Sequence, residues 1–162
     1  LMNERTFATV TVEQIAAQAR VSPSTVYRYF GTKEALVLSA QRPSLLVDRL
    51  GADTTKRSSF EAFHRAAVKV WGTDADVADE LALAAANPPL LEAWERQLLD
   101  QRPRVADVFA GRRGATSANN KDRAGAAAAL AILMTLLPRW QDSGGGKKDL
   151  DNILGKAFGI FG

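Results

Sequence analysis

Apolar residues recur every three or four positions along most of the chain, which is the spacing of one face of an α-helix. The stripes lie within residues 12–19, 60–71, 77–84, 91–109, 130–137 and 150–161. Helices are expected to end or bend at Pro88, Pro89 and Pro103. No segment alternates apolar and polar residues as a half-buried strand does. The pattern therefore predicts an all-α protein.

Two short helical segments around a tight turn are predicted in residues 11–30. Thr11 followed by Gln14 is a capping-box pair, which marks a helix start. Ser22 followed by Pro23 marks a second start, because the hydroxyl caps the helix and proline at the first position gives up no hydrogen bond. Since so few residues separate the two segments, the sequence predicts a helix-turn-helix.

The apolar residues of this segment predict a small shared core. Ile15, Val21 and Val26 are spaced to fill it, and the small Ala16 falls where the helices cross. Arg20 occupies the turn position that needs a left-handed backbone, which costs a residue other than glycine roughly 1–2 kcal/mol. The turn is therefore tolerable in a packed domain, at some cost.

The flanking residues would complete a three-helix domain. Thr32 is predicted to cap the next helix, with Leu36 and Val37 facing inward. Residues 1–7 read as the tail of a longer amphipathic helix, which would be needed to cover Phe30. We therefore expect the first helix to be truncated in this sequence.

The exposed face of the second helix suits nucleic acid. Its hydrogen-bond donors are Ser24, Thr25, Tyr27, Arg28 and Tyr29, and one of them adds a positive charge. The N-terminus of the helix also presents free backbone N–H groups to a phosphate. The alternative is a solvated polar helix with two tyrosines packed at its edge. The short turn and the apolar spacing favour DNA binding.

Residues Phe7 to Leu36 carry a recognisable pattern, which includes T-V-x-x-I-A-x-x-A-x-V-S-x-x-T-V-Y-x-Y-F-x-x-K-E-x-L over residues 11–36. This run resembles the N-terminal domain of TetR-family (tetracycline-repressor-like) transcriptional regulators. The resemblance covers about 40 of the 162 residues. It implies a helix-turn-helix DNA-binding domain in residues 1–42 and a helical effector-binding and dimerisation domain in residues 43–162.

The resemblance also implies roles for individual residues. Thr11 and Lys33 would contact phosphates, and Tyr27 and Tyr29 would pack against and bond the DNA backbone. The first residues of the recognition helix would face base edges. Arg28 is the candidate for bidentate recognition of guanine, with a phosphate contact as the alternative. The predicted DNA-binding residues are Thr11, Ser22, Ser24, Thr25, Tyr27, Arg28, Tyr29 and Lys33.

Two further stripes predict a dimer interface. Both follow the helical rule, and the run of small residues 125–129 would let another helix approach closely. Packing within one chain is the alternative, and the resemblance favours a homodimer. The predicted interface residues are Leu130, Leu133, Met134, Leu137, Leu150, Ile153, Leu154, Ala157, Phe158 and Phe161.

The region between the motif and these stripes would hold a pocket for a small-molecule effector. An apolar lining favours an apolar or amphipathic effector, although aromatic stripes more often form plain core. The candidate pocket residues are Phe60, Phe63, His64, Trp71, Trp94 and Phe109.

Composition argues against the other classes of function. The chain has no cysteine and one histidine, which leaves little for nucleophilic or metal catalysis. Glu61 and His64 have the spacing of half a di-iron site, but the second half is missing. We therefore predict no enzyme activity, no metal and no cofactor. The chain contains no run of 18 apolar residues, so no membrane span is predicted. A cytoplasmic protein is expected.

The interpretation is a ligand-responsive transcriptional regulator. It would be a homodimeric repressor that binds a palindromic operator in double-stranded DNA and is released by its effector. The net charge of +3 is mild and agrees with DNA binding without indicating it. The alternative is a helical interaction module that keeps the fold without binding specific DNA. Arg20 and the short first helix favour this alternative.

Overall fold

The structure, a computed structural model, describes residues 4–39, 41–72, 76–140 and 146–159, with side chains from residue 7 onward. The described chain is helical and contains no strand. Its helices are α1 (Glu4–Thr9), α2 (Val12–Gln18), α3 (Pro23–Phe30), a 3-10 helix (Glu34–Leu36), α4 (Gln41–Gly51), α5 (Ser59–Trp71), α6 (Asp76–Ala86), α7 (Pro88–Leu99), α8 (Arg102–Arg112), α9 (Asn120–Trp140) and α10 (Lys147–Phe158). The all-α prediction is confirmed.

The long helix α9 organises the body of the molecule. It packs against α8 and α10 along its length and also contacts α5, α6 and α7. Its inward residues Ala126, Leu130, Leu133 and Leu137 are fully buried. Helix α5 lies between α4 and α10 and contributes Phe63 to the same core. The body therefore has one continuous apolar core.

The predicted breaks between helices lie beside the prolines. Helix α6 ends before Asn87, whose side-chain amide donates to the Leu83 carbonyl at 2.7 Å, and α7 begins at Pro88. Helices α7 and α8 are separated just before Pro103, which lies in the first turn of α8. Proline is tolerated there because the first N–H groups of a helix have no partner within it.

The helix-turn-helix has a small core of its own. Val12, Ala16 and Val26 are buried, and Leu36 packs against them. Val21 was predicted to fill this core, but its side chain is 42% exposed. That part of the prediction is wrong, because Val21 lies in the turn itself, beyond the crossing of α2 and α3.

The connection to the body differs from the prediction. The helix expected from Thr32 is a 3-10 helix of three residues, Glu34–Leu36. The next α-helix begins at Gln41, so the predicted domain boundary at residues 42 and 43 falls inside α4. Leu38, just before it, is buried in the core of the body. The motif and the body are therefore joined through shared packing rather than by a loose linker.

Most of the predicted dimer-interface residues lie in the core of the single chain. Because their side chains meet one another and α5 inside the protomer, they have no surface left for a second copy, and the prediction is wrong for them. These residues are Leu130, Leu133, Leu137, Leu150, Leu154 and Phe158. Met134, Ile153 and Ala157 are half-buried, and Phe161 lies outside the described residues.

None of the helices in the described part of the chain is both long enough and apolar enough to cross a bilayer.

Candidate nucleic-acid interface

Both helices of the motif begin at side-chain caps. The hydroxyl of Thr11 accepts from the Gln14 N–H at 3.3 Å, and the Gln14 side chain accepts from the Thr11 N–H at 2.9 Å. The Ser22 hydroxyl accepts from the Thr25 N–H at 3.1 Å, and Pro23 takes the first position of α3. Both predicted starts are confirmed, and they fix where each helix begins.

A cluster of hydroxyls lies at the N-terminus of α3. The Ser22 oxygen is 2.8 Å from the oxygens of both Ser24 and Thr25. Ser22 is committed to the cap, and Thr25 is half-buried against it. Ser24 is exposed and not used by the cap. Of the three predicted base-facing hydroxyls, Ser24 is therefore the exposed one that does not cap the helix.

The rest of α3 presents a row of large exposed side chains. Tyr29 is 73% exposed, and Tyr27 and Phe30 are each 48% exposed. The guanidinium of Arg28 lies 5.1 Å from the centroid of the Tyr29 ring, a cation–π distance that limits the freedom of the arginine. Phe30 was expected to be covered, so sequence reasoning missed it as part of this surface. Its position beside the tyrosines in the sequence was the signal that could have indicated its exposure.

The turn between the helices has the left-handed backbone that its spacing required. Arg20 has a φ of 57°, the positive φ that was expected there. The chain returns from it through a bond from the Val21 N–H to the Ala16 carbonyl at 2.9 Å. The Arg20 side chain is exposed. The turn geometry is therefore kept without glycine, and a cation faces solvent beside α3.

Lys33 lies at the end of the motif rather than at the start of a long helix. Its ammonium is 4.4 Å from the centroid of the Phe7 ring, and its side chain is half-buried. It immediately precedes the 3-10 helix, which is too short to provide a strong dipole for a phosphate. A phosphate contact by Lys33 would therefore rest on its own charge, with the stem held by Phe7.

Three of the candidate effector residues are phenylalanines that pack against one another. The Phe109 ring lies edge-to-face with the rings of Phe60 and Phe63, at centroid distances of 5.9 and 6.4 Å. The Phe158 ring packs against Phe63 and completes the cluster. None of the candidates lines the clefts between α8 and α9, between the α4–α5 loop and α8, between α5 and α10, or between α7 and α9. These phenylalanines therefore contribute to core packing, and their place in an effector pocket stays a prediction.

The other candidate pocket residues also make contacts within the chain. Trp71 and Trp94 are buried in the core of the body. His64 pairs with Asp151, the Nε2 to Oδ1 distance being 2.9 Å, and stacks on the Phe158 ring. The histidine therefore joins α5 to α10.

An all-helical chain with a capped helix-turn-helix and an exposed, donor-rich second helix defines the class of helix-turn-helix DNA-binding proteins. The family model described as bacterial regulatory proteins, tetR family, matches residues 1–40. Residues 1–40 of this chain therefore match the DNA-binding domain of the TetR family of transcription regulators. Its members are regulators rather than enzymes. No curated protein was found to match the chain.

Proposed function

We propose that this chain regulates transcription by inserting α3 into the major groove of double-stranded DNA. The observation that carries the proposal is the row of exposed side chains on α3. This helix begins at the Ser22 cap and follows the left-handed turn at Arg20. A helix presented in this way can reach base edges without rearrangement of its backbone.

Within this surface we assign two kinds of contact. Ser24 and Arg28 are exposed and face outward from the first two turns of α3, so we assign them to base edges. Tyr27, Tyr29 and Lys33 are assigned to the phosphate backbone. Phosphate contacts position a protein on DNA, whereas base contacts discriminate between sequences.

The same division extends to the residues that start the helices. Thr11 and Ser22 are exposed hydroxyl caps, and Thr25 bonds to Ser22. We assign Thr11 to a phosphate at the start of α2, and Ser22 with Thr25 to positioning α3. Their loss should therefore lower affinity for all sequences together.

A titration of labelled DNA from the chain's own upstream region would test the proposal by fluorescence anisotropy. Affinity should fall steeply as salt rises, because phosphate contacts release counterions. Arg28→Ala should lose the preference for the upstream sequence over a scrambled duplex, by about 1–3 kcal/mol. Lys33→Ala should weaken both duplexes equally. Arg49→Ala, an exposed arginine on α4, is the matched control.

Two outcomes would count against this assignment. If Arg28→Ala and Lys33→Ala weaken both duplexes alike, Arg28 is a phosphate contact and the division of roles is wrong. If no salt-sensitive binding occurs, the chain is the interaction module that was the alternative.

The finer proposal is a homodimeric repressor that acts on a palindromic operator in the cytoplasm. Since the inner faces of α9 and α10 are used within the chain, we place the dimer contact on the outer face of α9. Ala124, Ala131 and Thr135 are exposed there, and Ala128 is half-buried between them. Small side chains allow two helices to approach closely, which supports a contact across a two-fold axis.

Light scattering on a sizing column would test this contact. Ala131→Glu should convert a dimer to a monomer, because it places a charge at the centre of the close approach. Ala85→Glu on α6 is the control, since Ala85 is also exposed and lies on another helix. A dimer that survives Ala131→Glu would exclude this face.

Release of the repressor by a small apolar or amphipathic effector completes the proposal. A cleft of about 490 Å³ between α8 and α9 has apolar walls that include Pro103 and Ala106, with Arg102 and Arg123 beside them. This combination suits an amphipathic molecule. Ala124 belongs both to this cleft and to the outer face of α9, so a ligand there would act directly on the proposed dimer contact.

A further inference from the structure

Four basic side chains surround a cleft between α5 and α10. Arg65 and Lys69 lie one turn apart on the exposed side of α5, and Lys147 and Lys148 form the first turn of α10. The cleft has a volume of about 500 Å³, which lies within the usual range for small-molecule sites. The buried Val68 contributes an apolar wall between the cations.

Ion pairs among the described residues do not neutralise the positive charge of this cleft. No ion pair among the described residues involves Arg65, Lys69, Lys147 or Lys148. The carboxylate that lines the cleft, Asp151, is already paired with His64 on α5. The cleft therefore presents a surplus of cations to solvent.

The lysines of α10 are placed against the electrostatic preference of their own helix. A helix N-terminus is positive and favours acidic residues, so Lys147 and Lys148 do not stabilise α10 there. Helix stability therefore gives no reason for two consecutive cations at this end.

The position of these lysines is fixed by neighbouring packing. A Cβ atom added at Gly72 would lie 3.0 Å from Cγ of Lys147, so the lysine stem rests against the end of α5. The indole N–H of Trp140 donates to the Gly146 carbonyl at 2.9 Å and anchors the start of α10. The Lys147 stem and the first residue before α10 are therefore held against neighbouring elements at the edge of the cleft.

We propose that this cleft binds a compact organic anion with at least two negative charges, either a phosphate ester or a small polycarboxylate. The guanidinium of Arg65 can pair bidentately with a phosphate or carboxylate, and the lysines supply point charges around it. An apolar part of the ligand would contact Val68. This site lies on α5 and α10 rather than on the helix-turn-helix, and the proposal does not depend on DNA binding.

Isothermal titration calorimetry with inorganic pyrophosphate and with citrate, at an ionic strength fixed by sodium chloride, would test the proposal. At least one anion should bind to the full chain and raise its melting temperature. The double variant K69Q/K148Q should bind about tenfold more weakly or worse, since it removes two of four charges from one cleft. The control K121Q/K156Q has the same net charge and replaces exposed lysines that do not line the cleft.

The two anions separate the possible ligand classes. Binding of pyrophosphate alone supports a phosphate ester, and binding of citrate alone supports a polycarboxylate. Binding of both supports selection by charge. Absence of binding by both, or equal weakening in the two double variants, would overturn the proposal, because general attraction to a basic protein would then explain the data. Since no DNA is present, failure here and failure of the proposed DNA binding are separate results.

Discussion

The backbone of Arg20 adopts the left-handed conformation that the turn of the motif requires, and this conformation has a local energetic cost. Its φ of 57° is costly for a residue with a side chain, and its side chain is exposed. Arg20→Gly should therefore raise the free energy of unfolding by about 1 kcal/mol or slightly less, since glycine relieves the strain but gains more entropy in the unfolded chain. Urea denaturation followed by circular dichroism would measure the change.

Arg20→Ala serves as the control for this prediction, because it removes the charge and keeps the strain. It should give no gain in stability. A gain equal to that of Arg20→Gly would mean that the arginine charge, and not the backbone, is the cost. If both variants also bind DNA more weakly than the parent chain, Arg20 contributes a phosphate contact.

Asp122 is the buried carboxylate that organises the start of α9. It accepts from Arg113 Nη2 at 2.7 Å and from the Asn119 N–H at 2.9 Å. The hydrogen bond from the Arg113 side chain, followed by that from Asn119, holds the pKa of Asp122 below the ordinary aspartate value. The unfolded chain therefore takes up a proton at a higher pH than the folded chain does.

This shift has a defined consequence for stability. The contribution of Asp122 is fully present above the ordinary aspartate pKa and is lost as the pH falls through the lowered value. Asp122→Asn should therefore destabilise the chain at pH 7, and the difference from the parent should shrink in acid. Urea denaturation at pH 7 and pH 3 would measure it. Asp107→Asn, which replaces an exposed carboxylate on α8, is the matched control.

Single residues also show where sequence reasoning reaches its limit. The left-handed turn at Arg20 was predictable, because the spacing of two capped helices leaves one position for it. The exposure of Val21 and Phe30 was not, because an apolar residue at helical spacing does not reveal whether another element covers it. The pairing of Lys33 with Phe7 depends likewise on how α1 folds back over the motif.

At the scale of the element, α3 depends on its first residue. Ser22 accepts from the Thr25 N–H and binds the hydroxyls of Ser24 and Thr25. Ser22→Ala should destabilise the motif by about 1 kcal/mol, the usual cost of a lost N-cap. Hydrogen exchange of the α3 amides, followed by mass spectrometry, should therefore become faster.

Ser24→Ala distinguishes the cap from base contact. Ser24 bonds to the capping hydroxyl but does not cap the helix, so its loss should leave the exchange of α3 nearly unchanged. It should instead lower discrimination between DNA sequences. Equal exchange in the two variants would show that the hydroxyl cluster, and not the Ser22 cap alone, holds the helix.

Helix starts were more predictable than the partners of helix faces. Caps and prolines are local signals, and they placed the starts of α2 and α3 and the end of α6 correctly. The stripes of α9 and α10 showed only that one face of each helix is buried. Whether that face meets its own chain or a second copy depends on α5, which is far away in sequence. The cleft between α5 and α10 was unpredictable for the same reason.

At the scale of the molecule, Glu80 on α6 connects the residues that follow the helix-turn-helix to the body. One carboxylate oxygen accepts from the Ser39 N–H at 2.9 Å, and the other pairs with Arg42 at the start of α4. Both side chains of the ion pair are largely buried, with exposures of 17% for Arg42 and 14% for Glu80. The junction after the helix-turn-helix is therefore fixed to α6 by polar contacts shielded from solvent.

Removing this carboxylate should loosen the junction. Glu80→Ala leaves the Ser39 N–H and the Arg42 guanidinium without their partner, which should lower the free energy of unfolding by about 1–3 kcal/mol. Limited proteolysis should also cut near residues 39–42 more rapidly than in the parent chain. Asp79→Ala is the matched control, because Asp79 is the exposed neighbour on the same helix. If the two variants behaved alike, the joint between the motif and the body would rest on the apolar packing of Leu38 and Phe7 instead of on Glu80.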